Sequence, residues 1–198
     1  MTWVKVCGLT RPEDVAVAVD AGADAVGFVS HPGSPRYVSL PAIAELIVDV
    51  PVLTVVLTVE LGPAAALTAV EVTGALGIQP YGARAGDVAE AALAAGIAVL
   101  YPVSRPAEIS AAPLGATPLC DTPDEIMYGG TGRVFDWSTL RGIEQDFILA
   151  GGLGPDNVTD AIRRVRPWGV DASSRLEAAA GVKDPGKVAA FVQEAKSA

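Results

Sequence analysis

Short apolar segments recur along the chain, and each is followed by a turn or capping residue and then by an alanine-rich segment with helical spacing of its apolar positions. The apolar segments predict strands at residues 3–6, 25–29, 52–58, 76–79, 98–101, 117–120, 147–150 and 169–172. The clearest helices are predicted at residues 12–21, 41–48, 63–76, 85–95, 155–165 and 185–196. Most of these helices begin with a proline, which the first helical turn tolerates well. Strands that alternate with helices in this way form a parallel sheet.

Eight such units most simply close into an α/β fold of the (β/α)8 TIM-barrel type, a single domain over residues 1–198 with the helices outside. Such barrels usually need about 250 residues, so this one is expected to be compact. The segment 102–116, rich in Pro, Ala and Ser, predicts a degraded fifth helix. The segment 121–137, with a glycine-rich motif at 129–132, predicts a long functional loop after the sixth strand. The alternative is a doubly wound open sheet, but the turn at residues 7–10 lacks the glycine pattern of a dinucleotide site.

Composition and charge restrict the class of protein. Hydrophobic residues make up 51% of the chain and charged residues 19%, which excludes a disordered protein. The longest apolar region, at residues 43–59, is interrupted by Glu45, Asp49 and Pro51, so no run is long enough to cross a bilayer. The amino terminus enters a strand without a signal segment, which predicts a cytoplasmic protein. A net charge of −9 with no cluster of basic residues argues against a nucleic-acid partner.

The two cysteines, Cys7 and Cys120, are more typical of free thiols than of a disulfide in such a chain. The single histidine, His31, lies in a loop, and no Cys/His cluster has the spacing of metal ligands. We therefore expect no metal site.

Cys7 lies where the first strand ends, which in a parallel barrel is the rim that carries catalytic groups. Period-two alternation directs Lys5 and Cys7 into the barrel, and Val4 and Val6 toward the helices. A thiol at this rim can act as a base or a nucleophile, and an ammonium beneath it would lower its pKa. The alternative is that Cys7 is a small packing residue, which the residues by themselves favour.

Asp121 ends the sixth strand, and if it faces the interior then Cys120 faces the helices. A carboxyl group across the barrel from a thiol would pair an acid with a base over one cavity, as proton-transfer reactions require. The alternative is an ordinary aspartate that starts a turn.

Two loops at the carboxyl end of the chain have the composition of an anion site. Gly151 and Gly152 follow the seventh strand, and Ser173 and Ser174 follow the eighth. Such loops can direct backbone N–H groups at a phosphate, as they often do in barrels of this type. Arg36, in a stiff loop after the second strand, is a candidate to hold a carboxylate with two hydrogen bonds, or is a solvated surface residue.

These residues lie within segments that resemble phosphoribosylanthranilate isomerases, in that family's order and over nearly the whole chain. The segments are 5–10 (KVCGLT), 22–28 (GADAVGF), 34–39 (SPRYVS), 129–132 with 135–137 (GGTG, FDW), 150–153 (AGGL) and 169–171 with 173–174 (GVD, SS). The resemblance implies a (β/α)8 barrel that converts N-(5-phosphoribosyl)anthranilate into 1-(2-carboxyphenylamino)-1-deoxyribulose 5-phosphate by an Amadori rearrangement. It also implies that no cofactor is needed, that the partner is a small phosphorylated substrate, and that the protein is a monomer or a homodimer.

By this resemblance Cys7 is the general base and Asp121 the general acid. Arg36 would hold the anthranilate carboxylate, and Asp171 would orient the substrate. The remaining substrate-binding positions that it implies are Gly130, Gly151, Gly152, Ser173 and Ser174.

Three positions depart from the family pattern. Tyr81 stands where the family usually has histidine, and Glu60 ends a third strand that usually reads Phe-Val-Asn. Arg175 stands where the family favours glycine, so it either adds a phosphate contact or hinders a left-handed loop. These departures leave two alternatives open. One is a diverged barrel that binds a phosphorylated ligand without this activity, and the other is an isomerase or epimerase of another phosphosugar.

Overall fold

The computed structural model describes residues 1–121 and 137–198. Eight parallel strands form a closed barrel in which each strand pairs with the next in sequence and the eighth pairs with the first. The strands are β1 (Trp3–Val6), β2 (Ala25–Val29), β3 (Leu53–Val59), β4 (Gly77–Tyr81), β5 (Ala98–Val103), β6 (Thr117–Cys120), β7 (Ile148–Leu149) and β8 (Gly169–Ala172). The predicted closed barrel is therefore confirmed, and the open doubly wound sheet is excluded.

In the part of the chain that the structure describes, six α-helices follow strands of the barrel. They are α1 (Pro12–Asp20), α2 (Leu40–Leu46), α3 (Pro63–Thr73), α4 (Ala85–Ala94), α5 (Val158–Val165) and α6 (Pro185–Ser197). After β5 there is only a 3₁₀ helix, Pro106–Ala111, which confirms the degraded fifth helix. No helix of residues 1–121 and 137–198 is long and apolar enough to span a membrane. The predicted loop after β6 and Gly130 within it lie outside the described residues.

Two predicted helix boundaries are wrong for identifiable reasons. α3 ends at Thr73, before the predicted residue 76, because Gly74 takes the left-handed conformation (φ 71°) that closes a helix. α5 begins at Val158 and not at residue 155. The Asn157 side chain accepts a hydrogen bond from the Gly154 N–H and donates one to the Gly152 carbonyl, which holds the preceding residues in a turn.

The alternation predicted for β1 is confirmed by the burial of its side chains. Val4 and Val6 belong to the large hydrophobic cluster between the barrel and its helices, and Cys120 lies in that cluster as well. Inside the barrel, a second cluster of buried side chains includes Val55 and Leu119. Cys7 belongs to a third, smaller cluster, which also lies inside the barrel. The core therefore places Cys7 inside the barrel and Cys120 outside it.

A two-stranded hairpin that the sequence did not predict lies between β8 and α6. Its strands are β9 (Glu177–Ala179) and β10 (Val182–Lys183), and they pair in antiparallel fashion. The hairpin brings the side chains of Glu177 and Lys183 to the loops at the carboxyl ends of the strands, which is where the site described next is built.

Candidate active site

One cavity opens at the carboxyl ends of the barrel strands. Its wall collects residues from β2, β3, β4 and β8, from the positions directly after β1 and β6, and from the loops after β2, β7 and β8. The predicted site residues that line it are Cys7, Arg36, Asp121, Gly151, Gly152, Asp171, Ser173 and Ser174. Residues that are far apart in sequence thus share one cavity, and of the predicted site residues only Gly130 lies outside the described part of the chain.

Beneath this cavity, Lys5 and Asp171 form a buried ion pair. Lys5 Nζ donates to Asp171 Oδ2 at 2.9 Å, from adjacent positions in the β1 and β8 register. Burial would lower the pKa of Lys5, but the charges of Asp171 and Cys7 and its hydrogen bonds to both outweigh burial, so the pKa is raised. Lys5 therefore stays a cation inside the barrel.

Gly27 provides the space for this pair. A Cβ at position 27 would lie 2.8 Å from the sulfur of Cys7, closer than real Cβ atoms approach, and 3.0 Å from Cε of Lys5, which is tighter than most real contacts. β2 can therefore pass directly against the interior side chains of β1 because it presents a glycine there.

The Cys7 thiol has a raised pKa, which corrects part of the expectation for it. Burial is the largest cause and raises the pKa, and the charge of Asp171 raises it further. Lys5 lowers it through its charge and a hydrogen bond, as expected, but does not overcome burial. Cys7 is therefore chiefly a thiol at neutral pH, and its thiolate, once formed, is a strong base.

Both cysteines are free thiols, as predicted. The pKa of Cys120 is raised to about 12, first by burial and then by the charges of Asp121 and Glu108. Its place among the helices makes it a packing residue.

Asp121, across the cavity from Cys7, contacts a tyrosine on β4. The Tyr81 hydroxyl donates to Asp121 Oδ2 at 3.2 Å, and Gln79 Nε2 donates to the same hydroxyl oxygen at 2.8 Å. Burial raises the pKa of Tyr81 well above its ordinary value, and the charges of Asp121, Cys7 and Asp171 act in the same direction. Tyr81 therefore keeps its proton and acts as a hydrogen-bond donor.

Arg36 is buried and is already paired with a carboxylate of the protein. Its Nε donates to Glu177 Oε1 at 2.6 Å, and its Nη2 donates to Glu177 Oε2 at 2.9 Å. This pairing is bidentate and uses one edge of the guanidinium, so the fork predicted for a substrate carboxylate is partly committed. Nη1 is not one of the two nitrogens that Glu177 engages.

Lys183 joins this pair to the loop after β8. Its Nζ donates to Glu177 Oε1 at 3.0 Å and to the Ser173 carbonyl at 3.1 Å. Burial, the largest cause, lowers the pKa of Lys183, and Arg36 lowers it too, whereas the charge and hydrogen bond of Glu177 raise it. Glu177 therefore pairs with two cations, Arg36 in the loop after β2 and Lys183, which also contacts the loop after β8.

The two anion loops have the backbone that such a site requires. Gly151 and Gly152 both have positive φ, 80° and 70°, which only glycine adopts readily. The concern that Arg175 would hinder a left-handed loop is unfounded. Its backbone belongs to the 3₁₀ helix Ser174–Leu176, and its guanidinium binds Asp156 at 2.8 and 2.6 Å.

Sequence reasoning missed the roles of Gln79, Glu177 and Lys183 and noted Tyr81 only as a departure. Alternation along β4 would have directed Gln79 and Tyr81 inward. No local sequence pattern predicts the pairing of Arg36 with Glu177, because the two residues are 141 positions apart in the chain. Within the described residues, no group of His, Cys, Asp or Glu side chains is arranged to hold a metal ion.

Comparison with known proteins gives a consistent result. A family profile described as N-(5'-phosphoribosyl)anthranilate (PRA) isomerase matches residues 4–194. The chain is 42% identical, over 98% of each sequence, to the N-(5'-phosphoribosyl)anthranilate isomerase of Thiobacillus denitrificans.

Solved structures agree with the sequence comparison. The crystal structure of the phosphoribosyl anthranilate isomerase from Thermotoga maritima superposes with a TM-score of 0.88 at 35% identity and covers 100% of both chains. A crystal structure of a phosphoribosyl anthranilate isomerase in complex with reduced 1-(o-carboxyphenylamino)-1-deoxyribulose 5-phosphate superposes with a TM-score of 0.84 at 33% identity and covers 100% of both chains. With this match over the whole length in sequence and in fold, the chain belongs to the N-(5'-phosphoribosyl)anthranilate isomerase family.

Proposed function

We propose that the protein catalyses the Amadori rearrangement of N-(5-phosphoribosyl)anthranilate to 1-(2-carboxyphenylamino)-1-deoxyribulose 5-phosphate, a step of tryptophan biosynthesis. The observation that carries the proposal is that Cys7 and Asp121 line one cavity together with the two anion loops. A base, an acid and a phosphate site at one rim are the groups that this rearrangement needs.

The reaction begins with Asp121 as general acid. Its carboxyl proton passes to the furanose ring oxygen, the C1–O bond breaks, and the nitrogen lone pair forms an iminium. The Cys7 thiolate then removes the proton on C2, and the electrons of that C–H bond neutralise the iminium to give an enolamine. Gain of a proton at C1 and loss of the proton from the C2 hydroxyl complete the ketone. Atoms and electrons balance without an external oxidant or reductant.

Substrate binding divides between the two ends of the cavity. We assign the phosphate to the N–H groups and hydroxyls at Gly151, Gly152, Ser173 and Ser174, with Gly130 as a further contact from the loop after β6. Arg36, held by Glu177, faces the anthranilate carboxylate. The buried guanidinium of an arginine fits a planar carboxylate, through two parallel hydrogen bonds, better than it fits a water molecule.

Two buried acceptors support a role in binding hydroxyl groups. Asp171 Oδ1 and Gln79 Oε1 are buried and accept no hydrogen bond from the described residues, although both side chains line the cavity. A buried acceptor without a donor is costly, and sugar hydroxyls are donors of the right kind. We therefore assign Asp171 to orient the ribose portion, with Gln79 beside it.

We further propose that the enzyme acts in the cytoplasm, without a nucleic-acid partner, as a monomer or a homodimer. The net charge of −9 supports the exclusion of nucleic acid. Dimerisation is known for one relative, since a solved structure is described as monomers generated from a dimeric phosphoribosylanthranilate isomerase of Thermotoga maritima.

Turnover of the proposed substrate in single variants tests the assignment. We expect Cys7→Ala and Asp121→Asn each to lower the rate at which the substrate's anthranilate fluorescence is lost by at least about 100-fold. The circular dichroism spectrum of each variant should show that the fold is intact. Cys120→Ala is the matched control, because this thiol is equally buried but faces the helices. Near-normal turnover in either site variant would contradict the role of that residue.

Complementation of a tryptophan auxotroph that lacks this step separates the proposal from its two alternatives. Growth supports the isomerase. Stabilisation by the product analogue without turnover would favour a diverged binding protein, and turnover of another phosphosugar that is insensitive to changes at Arg36 would favour a different isomerase or epimerase.

A further inference from the structure

We infer that Lys183 is a positioning residue for carboxylate recognition: it restores the positive charge that Glu177 neutralises at Arg36, so the three side chains together select an anionic ring substituent. The inference rests on the proposed function, because that function assigns the anthranilate carboxylate to Arg36. Of the three, only Arg36 is among the described residues that line the cavity, so the other two act through it.

The pairing with Glu177 determines which edge of the Arg36 guanidinium is left for a ligand. Glu177 accepts from Nε at 2.6 Å and from Nη2 at 2.9 Å, which occupies the side edge of the group. The end edge, formed by Nη1 and the second hydrogen of Nη2, has no acceptor among the described residues. A carboxylate matches this edge with two parallel hydrogen bonds, so Glu177 fixes the direction in which Arg36 presents it.

The same pairing cancels the charge that would attract a carboxylate. Arg36 and Glu177 together are neutral, and Lys183, whose Nζ donates to Glu177 Oε1 at 3.0 Å, leaves the cluster with one positive charge. The side chains of Arg36, Glu177 and Lys183 are 9%, 6% and 0% exposed, so solvent screens this charge little. A buried charge without a counter-charge is costly, and a bound monoanion removes that cost.

The charge of Lys183 reaches groups inside the cavity. Burial raises the pKa of Cys7 and of Asp171, and the charge of Lys183 opposes that rise in both. Two acceptors, the Glu177 carboxylate and the Ser173 carbonyl at 3.1 Å, stabilise the ammonium. A carboxylate bound at Arg36 therefore lies in the field of a second cation that it does not touch.

The β9–β10 hairpin that carries the second cation is fixed before any substrate binds. The Lys183 N–H donates to the buried Asp14 carboxylate of α1 at 3.1 Å. A Cβ at Gly181 would lie 2.9 Å from the carbonyl oxygen of Pro35, so the turn of the hairpin packs directly against the residue before Arg36. The charges of the cluster are thus held in place by contacts to the loop after β2 and to α1, and binding need not order them.

A matched pair of ligands isolates recognition of the carboxylate. The probes are the reduced form of the proposed product and the same compound without its ring carboxyl group, titrated by calorimetry at neutral pH. Both carry the sugar and the phosphate, so the ratio of their Kd values reports the carboxylate alone. We expect Lys183→Met to weaken the carboxylated probe about tenfold and to leave Kd of the other probe unchanged, because one charge close to a buried anion is lost.

The matched control is Lys187→Met, which removes the same charge from an exposed lysine whose Nζ donates to the backbone carbonyl of Glu177 at 2.8 Å. It should leave both Kd values unchanged. If the natural protein turns over no substrate, the proposed function has failed. If the natural protein is active and Lys183→Met weakens both probes equally, or neither, the inference is overturned. If Lys183→Met does not fold, Lys183→Gln, which keeps an N–H donor without the charge, decides the question by the same ratio.

Discussion

Glu177 is the position at which one substitution should most clearly perturb both the stability of the fold and the substrate site. Its carboxylate binds Arg36 with two hydrogen bonds and Lys183 with a third, and none of the three side chains is more than 9% exposed. Glu177→Gln keeps the size of the side chain but leaves two buried cations without a counter-charge. Removal of one partner from a buried ion pair costs about 3–5 kcal/mol. For a chain of this length, even the lower value corresponds to a fall in Tm of roughly 6–12 °C.

The loss should depend on pH in a defined direction. Burial lowers the pKa of Lys183 from its ordinary value of 10.5, so between the folded pKa and 10.5 the unfolded chain binds more protons than the folded protein. Folding therefore becomes more favourable as pH rises through that window. Without Glu177, which raises the pKa of Lys183, the window widens, so the stability deficit of Glu177→Gln should be largest near neutral pH and should shrink toward pH 10.5.

The assay is urea unfolding of the natural protein and Glu177→Gln at neutral pH and at pH near 10. Glu177→Gln combined with Lys183→Met removes the uncompensated ammonium and should recover part of the loss at neutral pH. The control is Asp156→Asn, which breaks the exposed Arg175–Asp156 pair and should cost under about 1 kcal/mol. A deficit for Glu177→Gln that equals the control, or that does not change with pH, would refute the reasoning.

Two further predictions concern the interior of the barrel. Lys5→Met should raise, and Asp171→Asn should lower, the midpoint pH of Cys7 alkylation by iodoacetamide, because Lys5 lowers and Asp171 raises the pKa of that thiol. Shifts in the same direction would contradict this assignment of charges. Gly27→Ala should destabilise the protein by about 1–3 kcal/mol, since its Cβ would meet Cys7 and Lys5. Gly86→Ala, in α4, places its Cβ in ordinary contact with the Tyr101 hydroxyl at 3.8 Å and should instead stabilise by about 0.4–1 kcal/mol, and equal effects of the two substitutions would contradict the clash.

The barrel and most of its elements were predictable from the sequence because their signals are local. Apolar alternation in β1 identifies Cys7 as facing inward, and the same alternation at the end of β6 directs Cys120 toward the helices if Asp121 faces the interior. Boundaries set by a single side chain or backbone angle, such as the start of α5 at Val158, were less predictable. The membership of the cavity followed from the strand order, because the carboxyl ends of parallel strands meet at one rim.

The electrostatics of the site depended on tertiary contacts. The alternation of β1 and the motif at its end were enough to make Cys7 a candidate base. The raised pKa of its thiol depends on burial and on Lys5 and Asp171 together, and Asp171 reaches it only when β8 pairs with β1. The pairing of Arg36 with Glu177, across 141 residues, likewise follows from the hairpin after β8. Local periodicity determines which way a side chain points, whereas burial and charge pairing belong to the closed barrel, because they arise only when distant strands exclude water from the same space.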